Sequence, residues 1–517
     1  MKALAVACVL AACGRSTPPI STTTLSIRVT DHGALVGARV LLFDAAGNAL
    51  HIGKIDMYGA RQSSAACEFS PGVIGTWDGI VLGYGSGDVP IGADRCAPTP
   101  AIPYGKYKVW AWRGIEYEKW EGEVDLSANR GKVELAIALD RAWQPGDALA
   151  ADLHVHAHAS DDSTMPDEQR VAAQVAAGIR VIGLSNHNTN GDASAAIHAL
   201  HLDSVVASLP SNEVTSEAMH ANMYPALGPA PPAAQIISAD PAHVMALMRA
   251  QPGHPIIQIN HPRFRYQSLF DTTHWDGTTW PPPFPTDFDA VEVVPGYAAF
   301  NAPGDRRLDD GLRDFYTLID HGKLVAPVGG SDSHDFNWVL DGAARTYVFA
   351  PFYDQTTFVD AIRARRTVAT DGPWLDVKAS QAQGEPSVGP GEHVVPRAGA
   401  IWLDISLSTT KWQRVDRIRV QVGAQTQTIP VTPGRTFHWA GAIEVGAASD
   451  TFVGVAADGD SAMPLEFTGT YQRDKWKRPG DTPFCVISPI LIDADGDGRW
   501  KRGDGDYLLT PLGSKTQ

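Results

Sequence analysis

The sequence predicts a multidomain α/β + β protein, an α/β barrel set between two β-sandwich domains, and three observations predict it. Between residues 148 and 371, apolar strand-like runs alternate with helical segments, the pattern of a parallel sheet with crossover helices. The stretches on either side hold short alternating strands broken by Gly and Asp. In the central part, histidines and carboxylates stand just past the apolar runs, where strand ends of such a barrel converge on one active face.

At 517 residues the chain exceeds one ordinary core. Its 44% hydrophobic and 19% charged content is that of a globular protein. A net charge of -16 argues against stable nucleic-acid binding, which rests on clustered Lys and Arg. A small anionic substrate held by metal ions stays compatible with that charge.

Residues 1–13 read as an export signal: Lys2, an apolar run from Ala3 to Ala12, and the closing Leu10-Ala11-Ala12-Cys13. The closing motif resembles the bacterial lipobox. That resemblance implies a lipid on Cys13 and a chain anchored to a membrane of the cell envelope without spanning it. Gly14, where an aspartate could favour inner-membrane retention, points to the outer membrane, facing the periplasm or the surface. An ordinary signal peptide cut nearby is the alternative. Residues 14–24 form a polar tether, and oxidising conditions favour a Cys67–Cys96 disulfide. Cys485 reads as a buried small hydrophobe.

Residues 25–147 read as an immunoglobulin-like sandwich with a Gly-, Ser- and Pro-rich insertion at about 55–103. Residues 148–371 are the barrel, whose first helix spans Asp167 to Ala177 after Pro166. Residues 372–517 form a second sandwich, with strands at Ile401–Leu407, Val415–Val422 and Thr451–Ala456. The Pro-rich stretch Trp280-Pro281-Pro282-Pro283-Phe284-Pro285, with Trp275 before it, reads either as a wall of the substrate site or as a rigid surface loop.

The chemistry lies in the central part. Asp152-Leu153-His154-Val155-His156 is followed by Ser160-Asp161, and Ser185-Asn186-His187-Asn188 closes the next strand. Asn212-Glu213-Val214-Thr215 with His220, Asn260-His261-Pro262 and Ser331-Asp332-Ser333-His334-Asp335 follow. In this order the blocks resemble the PHP (polymerase and histidinol phosphatase) superfamily. The preceding β domain, the Gly330-Ser331-Asp332-Ser333-His334 block and a β domain opened by Asp371-Gly372-Pro373 resemble the CehA/McbA group of metallohydrolases, named for carbaryl hydrolases.

The resemblance implies a distorted (β/α)7 barrel carrying two to three divalent ions. His154, His156, Glu213 and Asp332 would hold one; Glu213 would bridge to a second, held also by His220 and His261. Asp161, His187 and His334 would hold the third. Imidazoles with carboxylates suit zinc, manganese or iron. The chain departs from the family pattern in places. His220 follows Met219 instead of Gly, Asp162 replaces the usual Gly and competes with Asp161, and Asn186 replaces an acidic residue before His187. His158 is an extra histidine, either a ligand or proton donor or an exposed polar residue. Arg263 is either an anion clamp or a surface arginine.

The expected chemistry is hydrolysis of a small-molecule ester by metal-activated water, with His154, His156, Glu213, Asp332 and Arg263 as catalytic residues and a phosphoester as the leading substrate. A carboxyl- or carbamate-ester hydrolase and an inactive binding scaffold are the alternatives. No G-x-S-x-G elbow supports serine catalysis. Near the end, Asp493, Asp495 and Asp497 have the spacing of a structural calcium loop, against the alternative of an Asp/Gly-rich turn.

Overall fold

In a computed structural model of the protein, the described residues are 23–47, 49–50, 80–81, 88–91, 104–128, 130–163, 165–264, 267–296, 307–334, 341–464 and 481–509. Cys13, its signal and the Cys67–Cys96 pairing lie outside them. Among the described residues no helix is long and apolar enough to cross a membrane.

The first part folds into two sheets over one core. Thr23–Asp31 runs parallel to Gly131–Leu139 and antiparallel to Asp88–Ile91. Ala38–Phe43, Lys106–Trp112 and Trp120–Asp125 form the facing sheet. Alternation through Lys106–Ala111 explains the packing: Tyr107, Val109 and Ala111 are buried beside Leu25, Ile27 and Val40, while Lys106 and Lys108 are exposed.

The central part consists of two sheets. One is eleven-stranded and passes through Ala207–Ser208, Val181–Leu184, Ala148–Val155, Arg345–Phe349 and Thr367–Thr370. The other orders Asn212–Thr215, His220–Tyr224, Ile256–Ile259, Ala290–Pro295 and Ala326–Gly330. Among the described residues they touch through three isolated bridges, Val155 with Ser333, His187 with Glu213 and Gly191 with Ser211.

A closed (β/α)7 barrel is therefore not what the hydrogen bonding forms, and the connections explain why. Only Ser216-Glu217-Ala218-Met219 separates Asn212–Thr215 from His220–Tyr224, so the two pair antiparallel. A parallel neighbour needs a crossover of about a dozen residues. Arg345–Phe349 also lies antiparallel to both its neighbours. Parallel pairs remain at Ala148–Val155 with Val181–Leu184, and from Ile256–Ile259 through Ala290–Pro295 to Ala326–Gly330.

The first crossover helix is Asp167–Ala176. Its alanine-rich sequence favours helix, Asp167 and Glu168 suit the positive end of the helix dipole, and residues 169–176 are buried.

The eleven-stranded sheet does not stop at residue 371. Thr367–Thr370 pairs with Phe484–Ile487, and Thr451–Asp458, Arg417–Val422 and Gln425–Pro430 follow. A three-stranded sheet of Trp374–Ser380, Ala400–Ser408 and Thr436–Glu444 completes the last part. Cys485 sits buried in this continuous sheet, and burial pushes its thiol up.

The first part is pinned to the central one by a buried charge pair. Arg345 is fully buried and donates to both oxygens of Glu116, at 3.0 and 3.2 Å. The Tyr347 hydroxyl donates to the same carboxylate. Removing one partner of a buried pair costs about 3–5 kcal/mol, against roughly 0–1 kcal/mol for an exposed pair. Glu116→Ala should therefore lower the unfolding free energy by about 3–5 kcal/mol in urea denaturation. A loss in the range of an exposed pair would show that this contact does not hold the two parts together.

Candidate metal centre

Six backbone segments deliver the ligand set to the junction of the two central sheets. His154 lies in Ala148–Val155 and His156 just beyond it, on the same face by the two-residue period of the strand. His187 follows Val181–Leu184, Glu213 and His220 lie on the two arms of the hairpin, and His261 follows Ile256–Ile259. Asp332 and His334 follow Ala326–Gly330. Asp332 has φ 51° and His261 φ 24°, left-handed values that are uncommon for residues other than glycine and concentrate at functional sites.

Glu213 is the centre of the geometry. Its Oε1 lies 3.1 Å from His154 Nε2, 3.2 Å from His220 Nδ1 and 3.6 Å from His261 Nε2. Its Oε2 lies 3.0 Å from His187 Nδ1 and 3.4 Å from His156 Nε2. Asp332 Oδ1 is 3.2 Å from both His154 Nε2 and His156 Nε2. Beside this, Asp162 Oδ2 stands 2.9 Å from His334 Nε2 and 3.2 Å from His187 Nε2.

Burial and charge oppose one another throughout. Burial alone would push His154 down, but Asp332, Glu213 and Glu292 hold it well above the ordinary imidazole value. Against burial, Glu213 and Asp162 lift His187 to about 11, and Asp162 and Asp332 raise His334. His156 goes the other way, to about 3, through burial and the charge of His334. Glu213 and Asp332 overcome their own burial and are held below the usual carboxylate range, His154 being the largest lowering influence on each.

These residues fit divalent ions. His156 Nε2, Glu213 Oε2, His220 Nδ1 and His261 Nδ1 are buried and make no hydrogen bond, though all but the last lie 3.0–3.4 Å from a carboxylate or imidazole of the cluster. Such atoms are costly to bury unsatisfied, and coordination satisfies them. Four overlapping groups at this junction bring ligand atoms within 4.8 Å of one another: His156, Asp162, His187 and His334; His154, His156 and Glu213; His154, His261 and Asp332; His187, Glu213 and His220.

A distant likeness exists. The chain is similar to a two-domain protein of Bacteroides vulgatus described as containing a predicted PHP-like metal-dependent phosphoesterase, with 14% identity and a TM-score of 0.33 over 60% of this chain and 92% of that one. No protein-family profile and no curated protein matches the chain.

The geometry differs from the sequence expectation at Asp161. Both it and its competitor Asp162 are exposed, but Asp161 belongs to none of these groups and Asp162 takes the position. The Ser160 hydroxyl decides the turn, lying 3.1 Å from His156 Nδ1 and donating to Asp162 Oδ1 at 2.9 Å, while it accepts the His187 N–H at 3.2 Å. Asn186 accepts the Ala157 N–H at 2.8 Å and so ties two ligand loops together. His158 is exposed and pairs with Asp167 at 3.0 Å.

Arg263, the expected anion clamp, is engaged away from the cluster. Its guanidinium pairs with Asp314 and with Asp271 at 3.2 Å, and donates to the Trp275 carbonyl at 2.8 Å, so it fixes the following loop. That loop does not wall the centre either. Trp275 is buried against Phe270 and Phe284, and Trp280 stacks on His321, just past the helix Arg307–Asp320 that leads away from the ligand end.

The calcium expectation changes as well. Strands, not helices, flank the loop; Asp493 accepts the amides of Gly496 and Gly498, and Asp497 turns to Lys501. The carboxylates that approach one another are Asp450, Asp493 and Asp495.

The main residue that sequence reasoning missed is Glu292. Its Oε1 lies 3.1 Å from His154 Nδ1 and its Oε2 accepts the His261 N–H at 2.6 Å, fixing two ligands at once. A Cβ at Gly330 would meet its Oε1 at 2.9 Å and the His154 Cβ at 2.5 Å, so glycine lets this approach happen. Asn260, whose side chain donates to Glu213 Oε1 at 2.8 Å, holds the bridging carboxylate in the same way. The available signal was a lone acid inside the apolar run Ala290-Val291-Glu292-Val293-Val294.

Two measurements follow. Asp162→Asn should weaken the affinity of the ion bound near His187 and His334 by at least about tenfold, while Asp161→Asn should not, as read by chelator competition. Raised histidines must shed protons to bind an ion, so affinity should fall as pH is lowered, by roughly tenfold per pH unit for each proton displaced. A pH-stat titration should record proton release; none would mean that the ligands do not titrate with binding.

Proposed function

We propose that this chain is a metal-dependent hydrolase that uses a metal-activated water to cleave phosphoester bonds of small substrates. The supporting observation is the posture of Glu213, fully buried, with one oxygen facing His154, His220 and His261 and the other facing His156 and His187. A carboxylate divided between two sets of imidazoles is suited to span two cations. Divalent ions at such a centre acidify water and neutralise charge growing on the oxygens of the ester.

The chain's own part is to hold this set rigid. Glu292 orients the His154 ring and the His261 backbone, and Asn260 anchors Glu213. Asp162, His187 and His334 offer one more position, whose added positive charge favours an anionic phosphoester over a neutral ester. Zinc, manganese and iron all suit the donors. The resemblance to CehA/McbA hydrolases supports the alternative, a carboxyl or carbamate ester. The lipobox resemblance supports an envelope enzyme anchored through Cys13.

The mature chain, supplied with Mn²⁺ or Zn²⁺, should turn over phosphoesters in preference to matched carboxyl esters and aryl carbamates. Asp332→Ala should abolish that turnover to background. Turnover of carbamates or carboxyl esters alone would move the reading to the alternative, and full activity in Asp332→Ala would remove the chemistry from this centre. Separately, radiolabelled palmitate should enter the protein in cells and be lost in Cys13→Ser; labelling that survives would refute the anchor.

A further inference from the structure

Behind the ligand cluster lies a buried polar network that coordination does not require. Arg170 projects from the helix Asp167–Ala176 and is 1% exposed. Its Nε donates to the His156 carbonyl at 2.7 Å, its Nη1 donates to the Ser333 hydroxyl at 2.9 Å, and the same Nη1 pairs with Asp341. One turn along the helix, Gln174 donates to Asp341 at 3.0 Å and to Asp152 at 2.8 Å. Asp152 in turn accepts the Ser331 amide at 2.9 Å and its hydroxyl at 2.6 Å.

One helix face thus grips the backbone beside His154 and His156 on one sheet and beside Asp332 and His334 on the other. Those two ligand segments also meet directly. Besides the Asp152–Ser331 bonds, the His156 amide donates to the Ser333 carbonyl at 3.0 Å, the Asp332 amide to the His154 carbonyl at 2.7 Å and the Ser163 hydroxyl to the His334 carbonyl at 2.7 Å. Arg170 thus adds a third body, the helix, that fixes them together. Across that junction the His156 and His334 rings stack at 4.0 Å, and His156 Nε2 lies 3.2 Å from Asp332. An apolar pair would be no worse for stability than a buried Arg–Asp pair, because the desolvation of both charges offsets their attraction. What an apolar pair would lack is direction: a planar guanidinium fixes two partners at set angles.

We propose that Arg170, held by Asp341, is a positioning residue of the metal centre, setting the separation between His156 and the Asp332–His334 segment. The proposal rests on the reading of the cluster as a metal site. Arg170→Lys keeps the charge and loses the fork, so it separates geometry from electrostatics. In the full chain loaded with Co²⁺, this variant should shift the visible absorption bands and weaken Co²⁺ affinity about 10- to 100-fold in chelator competition. Thermal unfolding of the same variant without added metal should stay within a few degrees of wild type. Arg345→Lys, at the contact with the first part, is the control: it should lower the unfolding temperature and leave the bands unchanged.

Unchanged bands and affinity in Arg170→Lys would overturn the proposal, as would an affinity loss in both variants that simply follows lost stability. If Arg170→Lys does not fold, Ser333→Ala removes one partner of the fork and should still shift the bands; wild-type bands there would overturn it. Wild-type protein that binds no Co²⁺ would defeat the metal-site reading itself, an outcome distinct from a variant that binds as wild type does.

Discussion

A carboxylate with no access to water, surrounded by five imidazoles, is the constraint on which this structure turns. Left alone, an ionised Glu213 would be very costly to bury. It stays ionised because His154 and His187 supply positive charge at 3.1 and 3.0 Å. Those histidines come from strands of the eleven-stranded sheet while Glu213 lies in the other, so satisfying Glu213 draws both central sheets to one point. Glu213 also forms one of the isolated bridges between the sheets, through its backbone with His187. The residue that gathers the charges therefore helps close the fold.

Isolated bridges are a weak closure for two sheets, and the flanking parts compensate. Glu116 reaches Arg345 from the first part, while Trp412 and Gln413 from the last donate to the Tyr117 and Ile115 carbonyls. At the far end, Arg502 pairs with Asp320, the Tyr507 hydroxyl donates to the Gly322 carbonyl at 3.0 Å, and Trp280 donates to Asp504 at 2.8 Å. Arg419 adds a pair with Asp309 at 2.6 Å. The eleven-stranded sheet then runs unbroken from the ligand strands into the last part. In this arrangement the outer parts act as a frame that fixes the two sheets against each other.

Much of the His and carboxylate cluster was legible in the sequence because it depends on short-range pattern. A polar residue just past an apolar run sits at a strand end, and His154 and His156 share a face by the strand period. What failed depended on single residues or distant partners. Asp161 and Asp162 differ by one step in a turn, and the choice falls to the Ser160 hydroxyl, which touches both His156 and His187. Arg263 had its sequence neighbourhood in plain view, yet its partner Asp314 lies 51 positions away. Glu292 stands 138 positions from His154. The hairpin through Ser216-Glu217-Ala218-Met219 was short enough to exclude a parallel pair, but reading it required knowing that Glu213 and His220 lie on its two arms.

The charge arrangement also explains why the imidazoles differ in protonation. His156 and His334 stack at 4.0 Å with their rings nearly parallel, at 12°, and two protonated rings in that posture would repel strongly in a buried site. His334 is raised by Asp162 and Asp332, so His156 is the one kept neutral. A neutral imidazole is the form that binds a cation, which leaves His156 prepared while His154, His187 and His334 must first release protons. The same crowding that makes the cluster unfavourable as a set of protonated side chains is relieved when divalent charge replaces those protons. Ion binding at this cluster would therefore be coupled to the integrity of the junction between the sheets through one group of atoms.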